Sequence, residues 1–361
     1  MRIAYIVDWR LGRHSGVNNK VMNQVSEWRL LGHKVKLIFI TLSKQKKKHD
    51  DEIIINNTFL QYVNYPFVMY LHKILSIAKV KKTIKTNKID IIYYRNSLWY
   101  PRLSTILRMV PTVIEINTLE KEEYKVSSII KRVIFLLFNK ITLRSAKAFV
   151  VMTNEIGKDL KRNLPDNNDI LVLPNSFKVP LRLGKNKNEY PSIIFVGTMG
   201  LKWHGWEKLI ILANYLPSLE INIVGQVNTE KYLIPDNIIM HGTLHNEQLE
   251  KMYRRVSVGI STLSLYKKNM IEACPLKTSE YIANGLPVII GYKDKELEGK
   301  NYILDIGNYK NNIIDNIERI QLFVNKWTGK KIDDKSRFVV DSQNIELKRI
   351  NFFKKVIENS Q

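Results

Sequence analysis

The sequence predicts an α/β protein made of two successive halves, each a parallel sheet covered by helices. Three observations carry this. Short apolar runs alternate with segments of helical period from the first residue to about residue 175. A polar stretch at 176–190, with Pro, Gly, Lys, Asn and few apolar anchors, then breaks the pattern. The alternation restarts at Ser192 and runs on through the second half. With 361 residues and 45% apolar content, each half can bury its own core.

Residues 2–8 read as a short apolar strand. Val17, Val21, Val25, Trp28 and Leu31 follow at helical spacing, Gly32 stands where that helix should stop, and 35–40 is the next strand. The first half continues with a basic loop at 44–48. Its strands are expected at 53–55, 60–63, 89–94, 112–116 and 148–152, with 171–173 closing it, and its helices at 69–85, 103–109 and 126–144. In the second half strands are expected at 192–196, 220–224, 238–240, 258–260, 287–290 and 303–305. Its helices are expected at 206–213, 246–255, 278–283 and 313–327. A last helix covers 344–357. The expected domains are therefore 1–178 and 190–340, with 341–361 as a terminal helix packing back on the first domain. Ligands in such sheets bind at the carboxyl ends of the strands.

Cys274 is the one cysteine, so an intrachain disulfide and a four-cysteine zinc site are excluded. The start, MRIAYIVDWR, reads as a strand entered at once, so no signal peptide is expected, and no apolar run is long enough to span a bilayer. The expectation is a cytoplasmic protein, peripheral at the inner face of the cell membrane. The formal charge is +23. About 30 Lys and Arg stand against 14 Asp and Glu in residues 1–175, so the first half is the more basic. Such a field attracts nucleic acid, anionic headgroups or diphosphates. The sequence shows no nucleic-acid reader motif and no zinc spacing, so nucleic acid is not an expected partner. The helix at 126–144, with Lys131, Arg132, Lys140 and Arg144 beside Val133, Phe135, Leu136 and Phe138, is the candidate membrane contact.

The chemistry concentrates in Glu272-Ala-Cys-Pro-Leu-Lys-Thr-Ser-Glu280, followed by Tyr-Ile-Ala-Asn-Gly285-Leu-Pro287-Val-Ile. Two glutamates flank the start of a helix. Carboxylates accept paired hydrogen bonds from vicinal hydroxyls, which suits a sugar at one end and a ribose at the other. The free N–H groups of the helix start, with Lys277 beside them, suit a diphosphate between the two. Gly285 ends the helix and Pro287 opens the next strand.

This segment resembles the signature of the retaining GT-B glycosyltransferases, in particular glycosyltransferase family 4 and the bacterial surface-polysaccharide enzymes within it. Paired glutamates, a phosphate-binding lysine and an A-x-G-x-P-V exit recur there, and Ala283, Gly285, Pro287 and Val288 supply the exit here. Phe195-Val196-Gly197-Thr198 followed by Lys202-Trp203-His204-Gly205 resembles the family's V-G-R…K-G diphosphate segment, with Thr198 at the arginine position and His204 at the lysine position. Ile223-Val224-Gly225-Gln226 resembles its I-V-G-x-G loop, and His241-Gly242-Thr243 its F-x-G segment; the resemblance implies that the nucleobase lies against these. Pro174-Asn175 looks like the P-N-G-V junction, Ser15-Gly16-Val17 the G-G-V loop after the first strand, and Gly32-His33 with Val35 the G-H-x-V step.

The resemblance implies a GT-B fold of two Rossmann-like domains facing across a cleft, the first binding the acceptor and the second the nucleotide-sugar. It implies catalytic roles for Glu272, Lys277, Asn117 and Glu115. It implies donor contacts from Gly16, Val17, Thr198, Lys202, His204, Gly225, Gln226, Gly242, Thr243, Cys274, Pro275, Leu276, Thr278 and Glu280. Asn117 stands about where many members carry a histidine, and Glu115, Asn117 and Glu120 are expected to border a sugar. The implied activity is hexosyl transfer from a nucleotide-diphosphate-sugar to a glycan or lipid-diphosphate-linked acceptor in capsule, O-antigen or lipopolysaccharide assembly. The sequence shows no Asp-x-Asp pair, and neither a metal nor another cofactor is expected. The alternatives are an inactive GT-B binding protein and a GT-B nucleotide-sugar epimerase.

Overall fold

The structure, a computed structural model, describes residues 1–9, 16–42, 52–55, 66–164, 168–184, 189–197, 201–226, 229–230, 232–245 and 247–361. Ser15, Thr198, the basic loop at 44–48, the expected strand at 60–63 and Asn246 lie outside the described residues. The chain divides into two compact units, one of residues 1–173 with 343–361 and the other of residues 174–342. The change of unit falls at Pro174, a few residues before the boundary expected at 178, and the last helix is counted with the first unit.

The first unit runs β1 (Arg2–Asp8), α1 (Gly16–Leu30), β2 (Lys34–Ile40), β3 (Glu52–Ile55), α2 (Pro66–Thr86), β4 (Ile91–Arg95), α3 (Leu103–Leu107), β5 (Thr112–Ile116), α4 (Glu120–Lys125), α5 (Ile129–Leu143), β6 (Ala148–Val151), α6 (Asn154–Lys161) and β7 (Asp169–Val172). The strands form one sheet in the order β3-β2-β1-β4-β5-β6-β7, and every pairing is parallel. Ile3 to Val7 are all buried, as are Val113, Ile114 and Ile116. Such unbroken apolar runs suit a parallel sheet covered on both faces. The helix expected at 126–144 is α5, which begins three residues later at Ile129, and the short α4 before it was not expected. Helix α6 escaped the periodicity; its signal is Thr153, whose hydroxyl caps the Ile156 N–H at 3.3 Å.

The second unit runs β8 (Ser192–Val196), a 3-10 turn (Lys202–His204), α7 (Lys208–Tyr215), β9 (Glu220–Val224), β10 (Ile238–Met240), α8 (Glu247–Arg255), β11 (Val258–Ile260), a 3-10 turn (Leu265–Lys268), α9 (Leu276–Ala283), β12 (Val288–Ile290) and β13 (Ile303–Asp305). A 3-10 turn (Ile314–Asn316), α10 (Ile317–Trp327), α11 (Asp334–Arg337) and a last 3-10 turn (Phe338–Val340) follow. Its sheet has the order β10-β9-β8-β11-β12-β13, again all parallel. Helix α9 begins at Leu276, two residues before the expected start, which puts Lys277 in its first turn.

The chain returns to the first unit as α12 (Ser342–Glu358). Phe353 closes an aromatic cluster with Trp28 and Tyr93 at centroid separations of 5.5 and 5.1 Å. Below the rings lies a buried charge cluster. Glu346 accepts from the Trp28 indole N–H at 2.7 Å and from Arg349 at 2.8 Å, and Arg349 donates to the Tyr93 hydroxyl at 2.5 Å. At the far side of the cluster stands Glu115 on β5, with no exposed surface. It pairs with Lys20 at 2.8 Å, with Arg95 at 3.0 Å and with Arg349 at 4.0 Å. Burial alone would raise its pKa, but Lys20, Arg95 and Arg349 outweigh burial and hold it well below the usual carboxylate range. One carboxylate thus ties together α1, β4, β5 and α12.

Removing that charge should be costly, because three cations would lose a common acceptor in a dry site. Glu115→Gln is expected to lose about 3–5 kcal/mol of unfolding free energy, read by urea titration of tryptophan fluorescence at neutral pH. The folded pKa is depressed, so the contribution is complete above the ordinary glutamate range and lost progressively as pH falls from there through the depressed folded value. The gap between wild type and variant should therefore close in acid.

Candidate functional site

Within the second unit, the sequence-predicted residues gather where β8, β9 and β11 end and α9 begins. Strand β8 ends at Val196, whose N–H donates to the Tyr281 hydroxyl at 2.8 Å, and the Tyr281 ring packs where Gly259 leaves no room for a side chain. These contacts lock the first turns of α9 against β8 and β11. The loop before α9 is held from another side. Asn175 donates its backbone N–H to the Cys274 sulfur at 3.1 Å and its side-chain amide to the Cys274 carbonyl, and its own carbonyl accepts from Ser279 at 3.0 Å. Thr278 sits in a closed hydroxyl triangle with Ser261 at 2.7 Å and Tyr292 at 2.6 Å. Cys274 and Thr278 thus shape the loop and helix start through bonds to the protein itself.

Helix α9 has Pro275 at its N-cap and no side-chain cap. The side chain of Lys277, in its first turn, is buried, with 9% of the residue exposed. Its ammonium has no hydrogen-bond partner among the described residues and rests 4.2 Å above the Phe195 ring. Burial lowers its pKa from the usual lysine range to about 7. His204 lies in the 3-10 turn after β8, with its Nδ1 buried and unpartnered among the described residues. Burial first, and the Lys277 charge second, push this imidazole down to about 2, so it is neutral. A lone buried cation, an open helix N-terminus and a neutral imidazole together form an anion cradle.

The glycines of the predicted loops serve close approach. Gly225 follows β9 at φ +113°, and a Cβ there would stand 1.8 Å from the Gly197 carbonyl oxygen. Gly205, at φ +69°, lets the His204 turn press on the strand β11 loop, where Leu263 donates its N–H to the His204 carbonyl at 3.0 Å. Lys202, Gln226, Gly242 and Thr243 are exposed on these loops. Pro275 and Leu276 form the helix entry, and Thr198 lies outside the described residues.

The two glutamates differ. Glu272 is half-buried, bridges in parallel to Lys293, and lies close enough to Asp294 to help raise the latter's pKa. Burial first, then nearby carboxylates including Glu272, push Asp294 up to about 7. The sequence reading missed Asp294; its signal was an acid just after the strand next to β11. Glu280 is pushed up to about 7, by burial first, against the opposing effect of the Tyr253 hydroxyl and with help from Glu250.

In the first unit, Gly16 and Val17 open α1, and the next turn carries Lys20, which the sequence reading passed over. Its ammonium bridges Glu115 at 2.8 Å and the Asn117 side-chain oxygen at 2.9 Å. Burial first lowers its pKa to about 8, with Glu115 opposing. Glu115 itself is enclosed and acts through Lys20 and Arg95, whereas Asn117 remains half-buried at the strand end. Glu120 accepts from Asn96 at 2.6 Å, and burial pushes it up to about 8. It lines a cavity of about 230 Å³ with Ile116, Phe135, Asn139 and Leu160. A second buried acid, Asp8 at the end of β1, pairs with Lys73 at 3.2 Å and accepts from Ser97 at 2.6 Å.

These arrangements fit what the comparisons with known proteins find. Residues 14–178 match Glycosyltransferase Family 4. No curated protein matches the chain. Among solved structures, sucrose-phosphate synthase from Thermosynechococcus elongatus superposes with a TM-score of 0.75 at 15% identity, covering 99% of each chain. The lipopolysaccharide outer core galactosyltransferase WaaB, in apo form, gives a TM-score of 0.66 at 11% identity over 98% of this chain and 100% of that one. The pneumococcal O-GlcNAc transferase GtfA, in complex with UDP and GlcNAc, gives 0.66 at 11% identity over 99% of both. The chain thus has the GT-B fold of these neighbours, and the family 4 match falls within residues 14–178.

Glu280 offers a test that separates stability from binding. Its raised pKa means the folded state holds a proton that the unfolded chain releases between the ordinary glutamate range and about pH 7. Burying this carboxyl therefore costs stability as pH rises through that window. Glu280→Gln should melt higher than wild type at pH 8 and nearly equal to it at pH 4, by scanning fluorimetry.

Proposed function

We propose that this chain is a retaining hexosyltransferase that takes its sugar from a nucleotide-diphosphate-sugar. The observation that carries this is the buried, unpartnered ammonium of Lys277 at the uncapped start of α9. A desolvated cation beside free helix N–H groups gains most from a ligand with a compact double negative charge. The donor diphosphate is assigned to Lys277, the α9 N-terminus, Lys202, His204 and Thr198. Glu280 takes the ribose hydroxyls and Glu272 the donor sugar. The base is assigned to the Gly225-Gln226 and Gly242-Thr243 loops. GtfA, of the same fold, is in complex with UDP and GlcNAc, which supports a donor of this type.

Transfer with retention then needs little acid–base machinery from the protein. The acceptor hydroxyl attacks from the face that the diphosphate leaves, and the departing phosphate oxygen takes its proton. What the protein supplies is position and charge. In this reading Lys277 and the helix end do the work of a metal, so turnover should persist in a chelator. Asn117, held by Lys20, stands at the acceptor side together with the Glu120 cavity. The acceptor is assigned as a glycan or lipid-diphosphate-linked glycan in surface polysaccharide assembly, met at the inner face of the cell membrane. The WaaB likeness in fold and the basic first half of the chain support that assignment.

The test is a panel of nucleotide-sugars measured by melting temperature and by release of nucleoside diphosphate. One nucleotide class at about 100 times its dissociation constant should raise the melting point by about 2–4 °C. Glu280→Gln should weaken that shift, whereas Glu272→Gln should keep the nucleoside diphosphate shift and lose turnover at least about a hundredfold. Binding without any turnover would identify an inactive binder. Acceptor-independent conversion of the donor to its epimer would identify an epimerase.

A further inference from the structure

Helix α5 presents an apolar surface to solvent. Ile129 is 80% exposed, Ile130 73%, Val133 46%, Leu136 66%, Leu137 63% and Ile141 40%. Val126, just before the helix, is 83% exposed. At 100° per residue these six helix positions fall on one face. The opposite face is occupied: Phe135 stacks on Tyr124 at 4.6 Å and Phe138 on Trp99 at 4.1 Å, and Thr142 and Leu143 are buried. The helix is therefore anchored by its aromatic and terminal residues and leaves its aliphatic stripe outward. A contiguous stripe of this kind marks an interaction surface, unlike the single exposed side chains found on any protein.

The charges around the stripe select the partner. Helix α5 carries Lys131, Arg132 and Lys140, with Arg144 at its C-cap, and no acidic residue. Two copies meeting through α5 would bring eight of these cations together, so a symmetric dimer is disfavoured. An anionic lipid surface satisfies both components: acyl boundary for the stripe and headgroups for the cations. The helix has 15 residues, and no helix among the described residues is long and apolar enough to cross a membrane. Such a helix lies in the interface plane.

We propose that the outward face of α5 docks this protein on an anionic membrane surface, with the aliphatic stripe in the headgroup boundary and Arg132, Lys140 and Arg144, which lie along or beside that stripe, on lipid phosphates. This rests on the membrane contact included in the proposed function and assigns it to one helix of the first unit. The first unit is thereby oriented with its Glu120 cavity, which shares Leu136 and Lys140 with the helix, toward the lipid surface.

The experiment is flotation of the full chain with vesicles of phosphatidylcholine containing phosphatidylglycerol, against vesicles of phosphatidylcholine alone. Wild type should float with the anionic vesicles and stay below with the neutral ones. Ile130→Gln with Leu137→Gln should reduce flotation about tenfold without lowering the melting temperature. Arg132→Gln with Arg144→Gln should reduce it on anionic vesicles, as should added salt. Donor hydrolysis is measured in the same samples. Loss of flotation with hydrolysis intact in the variants supports the docking face, whereas absent hydrolysis with flotation intact would fault the donor reading alone. Wild type that floats with neither vesicle overturns the proposal. So does a lipid-free dimer, seen by light scattering, that the Ile130→Gln and Leu137→Gln pair dissolves.

Discussion

The second unit depends on an ammonium group placed where water cannot reach it. Lys277 sits in the first turn of α9 with an aromatic ring beneath it and no hydrogen-bond acceptor among the described residues. Lowering a lysine pKa to about 7 represents on the order of 5 kcal/mol of charge desolvation. A fold keeps such a group only when its surroundings over-determine the position, and they do. Tyr281 is wedged between β8 and β11, Asn175 grips the Cys274 loop, and the Ser261–Thr278–Tyr292 triangle fixes the first turn of the helix. The charge is held ready for an anion, with little left to reorganise when one arrives.

The first unit solves the opposite problem. Its central charge is a carboxylate, Glu115, and every cation around it comes from a different element: Lys20 from α1, Arg95 from β4, Arg349 from α12. The cluster explains why the chain returns from the second unit to end as a helix on the first. Without α12, Tyr93 and Trp28 would face water and the ion cluster would lose its fourth side. The same cluster reaches the surface through Lys20, which holds Asn117 at the end of β5. Burial and function are linked there by one lysine with two acceptors.

Much of this was legible in the residues. Parallel strands announce themselves as apolar runs, and seven of the expected strands, 2–8, 112–116, 192–196, 220–224, 238–240, 258–260 and 303–305, match the structure to the residue. The Glu272 to Glu280 segment was legible because its spacing puts carboxylates on both sides of a helix start. What was not legible has a common cause. Lys20 and Asp294 are ordinary charged residues in sequence and become special only when long-range packing buries them. Glu115 has the converse history. Its position at a strand end suggested contact with a sugar, and only the tertiary arrangement of Lys20, Arg95 and Arg349 shows it enclosed. Helix α4 escaped because its charged residues show no apolar period, and the helix offered as a membrane contact was not resolved into faces: Phe135 and Phe138, counted with that contact, stack on Tyr124 and Trp99.

The central claim is that the Lys277 ammonium receives the donor diphosphate. The most direct measurement is the proton uptake on UDP binding, from titration calorimetry at pH 8 in buffers of different ionisation enthalpy. With a pKa near 7, free Lys277 is mostly neutral at pH 8, and a bound diphosphate would raise that pKa and draw a proton from buffer. The account predicts uptake approaching one proton per UDP at pH 8, little at pH 6, and none at pH 8 in Lys277→Met. UDP binding without proton uptake, or with the same uptake in Lys277→Met, would contradict it.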